Sequence, residues 1–189
     1  MNIAYTMAPA RGDTDLLLSS VAGSLLNSGW YICGTIQINT NREKEGPCDM
    51  DVKVLPDGPV VRISQSLGKG STGCRLDQSA LEEAVGQVTA SLGERADAMI
   101  VNKFGKHEAE GRGFREVIAA ALTLGIPVLV GVNALNREAF DLFSGGCAEF
   151  LPPEKSAIET WLRTQMGEPN ITGDHRSEQG EIKCERAPM

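Results

Sequence analysis

The chain has 189 residues, of which 41 % are hydrophobic, enough for one α/β domain with a sizeable core. Its formal net charge of −7 argues against a general surface for nucleic acid or anionic membranes. No apolar run approaches the length of a membrane span, and the first residues resemble a strand more than a signal peptide, so we expect a cytoplasmic protein. The five cysteines are odd in number and widely spaced, which favours reduced thiols and gives no metal-ligand spacing.

Hydrophobic periodicity predicts alternating strands and helices over one domain, residues 1–166. The predicted strands are 2–6, 30–38, 50–55, 60–63, 98–101, 128–132 and 149–151. The first helix is predicted to begin with Asp13 or Thr14 as its cap, with Leu16, Leu17, Val21 and Leu25 on its apolar face. The later helices are predicted at 80–92, preceded by Asp77, and at 114–124, 138–143 and 156–166. The polar segment 167–189 has too few apolar residues to fold alone and is predicted to be a disordered tail.

Two features of this pattern predict the type of sheet. Residues 50–55 and 60–63 flank Pro56-Asp57-Gly58-Pro59, which predicts an antiparallel hairpin. The strand 98–101, the polar residues 102–108, the helix and the strand 128–132 together form a βαβ unit, which requires parallel strands. Open α/β sheets bind ligands at the carboxyl ends of such strands, so we expect function at residues 102–108.

The loop between the first strand and the first helix has the context of a phosphate-binding loop. The P-loop pattern is Gly, four residues, then Gly-Lys-Ser/Thr, and here Gly12 and Thr14 match it. Met7 stands in place of the first glycine, and Asp13 stands in place of the lysine that neutralises phosphate. Either the loop is a modified phosphate cradle or Asp13 simply caps the helix.

Residues 2 to about 152 resemble the small P-loop nucleoside triphosphatases of the thermophile and cancer-related type. The likeness includes Gly34-Thr35-Ile36-Gln37 and, most strongly, Asn102-Lys103-Phe104-Gly105-Lys106-His107-Glu108. The chain is still more similar to uncharacterised bacterial proteins that are often encoded beside molybdate-transport genes, through residues 73–77 and 101–111. The resemblance implies a three-layer α/β fold, with a mainly parallel P-loop NTPase-like sheet and an antiparallel hairpin insertion.

The resemblance also shows where this chain departs from a working NTPase. In that family an aspartate orients magnesium and a glutamate activates water, and their positions here hold Asn102 and Lys103. An amide is a poor magnesium ligand and an ammonium group is no general base, so we expect no ordinary hydrolysis and assign no catalytic residue. We expect Lys103 either to pair with Asp13 or to supply the cation for a bound anion.

The candidate ligand-binding residues come from the two loops and from a third, glycine- and serine-rich stretch. They are, from the two loops, Pro9, Ala10, Arg11, Gly12, Asp13, Thr14, Asp15, Asn102, Lys103, Gly105, Lys106 and Glu108, and, from the secondary loop, Ser64, Gln65, Lys69, Ser71, Gly73 and Arg75. The amides and hydroxyls of the secondary loop are suited to wrapping an anion. His107 has no partner at ligand spacing and is interpreted as structural.

Three functions remain open at this point. The first is a non-hydrolytic binding protein for a nucleotide, ATP or GTP, or for a phosphate-like oxyanion, with molybdate a candidate and magnesium not favoured. The second is an NTPase-like enzyme with altered catalytic groups. The third is an adaptor with an empty site. The expected partner is a small anionic ligand, without nucleic acid or membrane, and a second copy or another protein stays open.

Overall fold

The computed structural model describes residues 2–40, 49–65, 75–93 and 96–167. The strands are β1 (Ile3–Thr6), β2 (Ile32–Thr40), β3 (Asp49–Leu55), β4 (Val60–Arg62), β5 (Ala98–Phe104), β6 (Val128–Val132) and β7 (Glu149–Leu151). The helices are α1 (Asp13–Asn27), α2 (Gln78–Ser91), α3 (Lys106–Ala109), α4 (Arg115–Thr123), α5 (Arg137–Ser144) and α6 (Lys155–Met166), and a 3-10 turn, Ala134–Asn136, precedes α5. The predicted tail lies outside the described residues except for Gly167.

The strands form one seven-stranded sheet in the order β4-β3-β2-β5-β6-β1-β7. The pairs β2–β5, β5–β6, β6–β1 and β1–β7 are parallel, whereas β3 is antiparallel to both β2 and β4. The mainly parallel α/β sheet with an antiparallel hairpin is therefore confirmed. Because β1, β2, β5 and β6 run in the same direction, their carboxyl ends lie along one edge of the sheet.

Helices cover both faces of the sheet and give the fold its three layers. On one face α1 and α6 bury Leu18, Leu25 and Ile158 against residues such as Ile100 and Leu129. On the other face α2, α4 and α5 pack on a second apolar cluster. That cluster includes Val85, Val88, Ile118, Phe140, Met99 and Val101. Across the described ranges, no helix combines the length and apolar character needed to cross a membrane.

The sequence prediction placed the end of β5 too early. The strand continues through Asn102 and Lys103 to Phe104, and the four-residue helix α3 follows at once. Phe104 is fully buried, with its ring centroid 5.2 Å from that of Phe140 and 5.6 Å from that of Phe143. Asn102 and Phe104 pair with Gly131 and Val132 of β6, and the register shift between them leaves Lys103 as an irregularity of the strand.

The predicted caps of the two longest helices have different outcomes. Asp77 caps α2 as predicted, because its Oδ1 accepts a hydrogen bond from the Ala80 N–H at 3.1 Å. The helix α1 is preceded instead by Gly12, whose φ of 91° is in the left-handed region that favours glycine. No side chain of the described residues caps α1, so the prediction that Asp13 or Thr14 does so is wrong.

Candidate functional site

The loop that joins β1 to α1 lies at the carboxyl edge of the sheet. Pro9, Ala10 and Arg11 are exposed, and Gly12 turns the chain into the helix. The Ala8 N–H donates to Thr14 Oγ1 at 2.9 Å, which ties the loop to the first turn of α1. The N–H groups at the start of this 15-residue helix carry the positive end of its dipole, so the loop retains the favourable field of a phosphate cradle.

A buried carboxylate, Asp15, is the centre of the polar contacts at this edge. Its side chain is only 4 % exposed, and Lys103 Nζ lies 3.2 Å from Oδ1 and 3.3 Å from Oδ2. Asn39 Nδ2 from the end of β2 donates to Oδ2 at 2.6 Å. In the amide orientation that satisfies both of its ends, Asn102 donates to Asp15 Oδ1 at 2.9 Å and accepts from the Gln37 N–H at 3.1 Å. Three donors from two strands thus surround one carboxylate.

The expected ion pair of Lys103 therefore forms with a different aspartate. Asp13 is exposed, and within the described ranges it makes no ion pair with Lys103. Successive helical residues are about 100° apart, so Asp13 and Asp15 face almost opposite directions from α1. Lys103 of β5 thus forms an ion pair with an aspartate of α1, but that aspartate is Asp15 and not Asp13.

A glycine of β6 allows α1 to approach the end of β5. Gly131 lies between Thr6 and Asn102 in the sheet. A Cβ atom at Gly131 would lie 2.8 Å from Leu18 Cδ1, 3.2 Å from Thr14 Cγ2 and 3.3 Å from the amide of Asn102. The absence of a side chain at this position thus lets Thr14, Asp15 and Asn102 come together.

Glu108 holds the segment between β5 and α4 from the inside. Its Oε2 accepts from the Gly105 N–H at 2.9 Å, and its Oε1 accepts from the Phe114 N–H at 3.3 Å. A Cβ at Gly113 would overlap Glu108 Oε1, so this turn also requires glycine, which has a φ of 63°. Burial raises the pKa of the Glu108 carboxyl, although the two amides oppose the shift. Both carboxylate oxygens have protein partners, so the structure gives Glu108 a role in the shape of the loop.

Lys106 and His107, in the segment between β5 and α4, contact glutamates outside the Asp15 network. Lys106 is 74 % exposed and lies 3.6 Å from Glu110. His107 is buried, with Nε2 2.6 Å from Glu82 Oε1 of α2, which agrees with the structural interpretation of this histidine. Glu82 in turn borders an open groove of about 520 Å³ between α2 and α4, on the face of the sheet opposite α1.

Only the base of the predicted secondary loop is described. Lys69, Ser71 and Gly73 lie outside the described residues. Ser64 accepts from the Met50 N–H at 3.0 Å, the Gln65 N–H donates to the Arg75 carbonyl at 2.8 Å, and Arg75 lies 3.5 Å from Asp49. These contacts place the base of the secondary loop beside the start of β3. Because Met50 of β3 pairs with Asn39 near the end of β2, this base lies at the carboxyl edge of the parallel strands.

Sequence reasoning missed Gln37 and Asn39. Gln37 Nε2 donates to Asn39 Oδ1 at 2.7 Å, which orients the Asn39 amide toward Asp15. The signal was present, because residues two apart on a strand share a face and Gln37 interrupts an otherwise apolar strand. Asn39 was assigned to the following loop, whereas β2 runs to Thr40.

The two polar positions at the end of β5 are an amide and a lysine. Neither polar position at the end of β5 offers a carboxylate to activate water or to hold magnesium. Within the described residues no cluster of three or more His, Cys, Asp and Glu side chains is arranged to hold a metal ion. The groups nearest to the loop that a ligand can contact are the N–H groups of residues 10–12, the Arg11 side chain, the Thr14 hydroxyl and Lys103, whose side chain is 30 % exposed.

Comparison with known proteins agrees with this description of the fold. The solution structure of a human cancer-related nucleoside triphosphatase superposes with a TM-score of 0.56 at 15 % identity, covering 87 % of this chain and 95 % of that chain. The Molybdenum import ATP-binding protein ModC 2 of Bradyrhizobium diazoefficiens is 35 % identical over 161 residues, 85 % of this chain. The chain spans only 18 % of that relative's length. The family model described as "Protein of unknown function (DUF2478)" matches residues 3–161, so the chain belongs to this family.

Proposed function

We propose that this chain binds a phosphate-like oxyanion or a nucleotide at the carboxyl edge of its sheet and does not hydrolyse it by the P-loop NTPase route. The observation that carries the absence of hydrolysis in this proposal is the engagement of both polar residues at the end of β5. Asn102 and Lys103 contact Asp15. They stand in the positions where the P-loop nucleoside triphosphatases are expected to have their catalytic carboxylates. The start of α1 presents the positive end of its helix dipole beside the loop 7–12, which supports the binding of an anion there.

The ligand class follows from the charges near the loop. Asp13 stands where a P-loop lysine neutralises the β- and γ-phosphates, and a carboxylate there repels a triphosphate. A tetrahedral oxyanion is smaller and reaches the loop amides without extending past Asp13. The name of the 35 % identical relative includes both molybdenum and ATP, which supports testing molybdate beside nucleotides.

A thermal-shift titration of the full chain tests this proposal directly. The panel is molybdate, tungstate, inorganic phosphate, ATP and GTP, the nucleotides with and without magnesium. A ligand that binds only the folded state adds about 2.7 kcal/mol at 100 times its Kd, which raises the Tm of a domain of this size by roughly 5 to 10 °C. We expect such a shift with an oxyanion, and we expect EDTA to leave it unchanged.

Two variants and a turnover assay locate the site and test the mechanism. Lys103→Met should abolish the ligand-induced shift. Lys155→Met should not, because Lys155 pairs with Glu159 on α6. Phosphate release from ATP or GTP should stay at the level of the buffer control. Magnesium-dependent release that falls with Thr14→Ala would contradict the proposal and support the NTPase-like enzyme.

An adaptor is the second candidate, and the Lys103–Asp15 ion pair favours it. If Lys103 stays bound to Asp15, the edge of the sheet has no unpaired cation from β5 to offer an anion. The match to a segment of a much longer relative is compatible with a module that acts through a protein partner or a second copy. Failure of the whole panel to shift the Tm, with Lys103→Met less stable than the control variant because buried Asp15 loses its ion pair, would favour this function.

A further inference from the structure

The contacts of Asp15 bear on how an anion reaches Lys103. Asp15 is buried at 4 % exposure, whereas Lys103 keeps 30 % of its side chain in contact with solvent. The Lys103 side chain therefore lies between the buried carboxylate and solvent. An incoming anion meets the lysine first and does not need to enter the protein.

The ion pair in its present form is a poor binding site for an anion. Lys103 Nζ lies within 3.3 Å of both oxygens of Asp15, so its charge is balanced by a carboxylate at hydrogen-bond distance. An oxyanion that approaches Lys103 is attracted by the ammonium group and repelled by Asp15 at nearly the same range. The two effects largely cancel as long as Lys103 stays on Asp15.

Asp15 has two hydrogen-bond donors besides Lys103. Asn39 donates to it at 2.6 Å and Asn102 at 2.9 Å, and neither amide depends on Lys103 for its position. Asn102 is fixed by the Gln37 N–H, and Asn39 by the Gln37 side chain. The carboxylate therefore keeps one donor on each oxygen after the ion pair opens.

We propose that Asp15 is an internal competitor of the ligand, and that an oxyanion binds when Lys103 transfers from Asp15 to it. This inference rests on the proposed function and adds its regulation. The side chain of Lys103 is the moving part, and the Asn39 and Asn102 amides hold the released carboxylate. Affinity for the oxyanion is then set by how strongly Asp15 competes.

Calorimetric titration of molybdate, and separately of inorganic phosphate, into Asp15→Asn tests the proposal. Removal of the competing charge should tighten binding at least tenfold, and the double variant Asp15→Asn/Lys103→Met should lose this gain. Asp141→Asn is the matched control, because Asp141 pairs with Arg137 at 2.8 Å on α5, and it should leave affinity unchanged. Circular dichroism and the Tm without ligand check that each variant is folded.

A second variant changes the competition in the other direction and tests the proposal even if Asp15→Asn does not fold. Asn39 is exposed, and Asn39→Ala removes one donor from Asp15, so the carboxylate depends more on Lys103. Binding of molybdate or phosphate should weaken several-fold. Unchanged or tighter binding by Asn39→Ala would overturn the competition.

The outcomes separate this inference from the proposed function. If the wild-type chain binds either oxyanion and Asp15→Asn binds it no more tightly, the competition is wrong and the binding function stands. If only Asp15→Asn binds, the competition stands and oxyanion binding by the wild-type chain fails, because its own carboxylate holds Lys103. If neither binds molybdate or phosphate, the competition for an oxyanion is refuted together with oxyanion binding.

Discussion

Gly131→Ala tests the close approach on which the whole site depends. The added methyl group would lie 2.8 Å from Leu18 Cδ1, 3.2 Å from Thr14 Cγ2 and 3.3 Å from the Asn102 amide. The leucine methyl lies at the end of a rotatable side chain and can shift, but Thr14 and Asn102 are both held by hydrogen bonds. Overpacking of this kind costs about 1 to 3 kcal/mol.

Thermal unfolding measures this cost. A change of 1 kcal/mol moves the Tm by about 2 to 4 °C in a domain of this size, so we expect Gly131→Ala to lower it by roughly 2 to 12 °C. Gly23→Ala on α1 is the matched control, because a Cβ there meets nothing within 4 Å. A helical Gly→Ala change stabilises by about 0.5 to 1 kcal/mol, so the control should raise the Tm. A Gly131→Ala chain as stable as wild type would refute the close approach of α1 to β5.

Three further variants test other parts of the structure. Asp77→Ala removes the cap of α2 and should lower the free energy of unfolding by about 1 kcal/mol, whereas Ser79→Ala in the same turn should not. Equal effects of the two variants in urea titrations would contradict the cap. Gly34→Ala should lower the Tm more than Gly131→Ala does, because the added Cβ would overlap the Ile100 carbonyl and because Gly34 has a φ of 104°. A Gly34→Ala variant as stable as the wild-type chain would refute the packing of β2 on β5. Burial raises the pKa of Glu108 in the folded state above its unfolded value. The stability gained by protonation of Glu108 is therefore complete below the unfolded pKa and is lost as the pH rises through the folded pKa. Relative to Glu108→Gln, the wild-type chain should therefore gain stability as the pH falls from about 7 to about 4, and a difference that is flat with pH would contradict this.

Much of the fold was predictable because each element has its own local signal. The run 128–132 and the start of β5 are apolar and buried on both faces, which is typical of central parallel strands. The hairpin was predictable from Pro56-Asp57-Gly58-Pro59, and α2 from its capping Asp77. The ends of β2 and β5 were not, because both contain polar residues, Asn39 in β2 and Asn102 and Lys103 in β5. These residues contact Asp15, and Phe104 at the end of β5 packs on Phe140.

The prediction that Lys103 pairs with Asp13 failed because the orientation of α1 was predicted wrongly. Leu16 was assigned to the apolar face, yet it is 72 % exposed. The buried residues Leu18, Ala22 and Leu25 are spaced by four and three positions, and Asp15 precedes Leu18 by three. Asp15 therefore lies on the buried stripe and Asp13 does not. A charged residue on that stripe requires partners, which is the signal that could have identified it from the sequence alone.

The orientation of α1 also changes what the altered charges mean for binding. If Asp13 had paired with Lys103, the loop itself would carry the neutralising charge, and an anion would have to displace the loop. With Asp15 in that role the loop stays free, and Arg11 and Asp13 remain as exposed charges that salt screens. Lys103 is then the one cation at the end of β5, within the described residues, that can change partner without moving the backbone. In the proposed competition, the affinity of the edge for an anion is set by a side-chain exchange whose two end states keep Asp15 hydrogen-bonded.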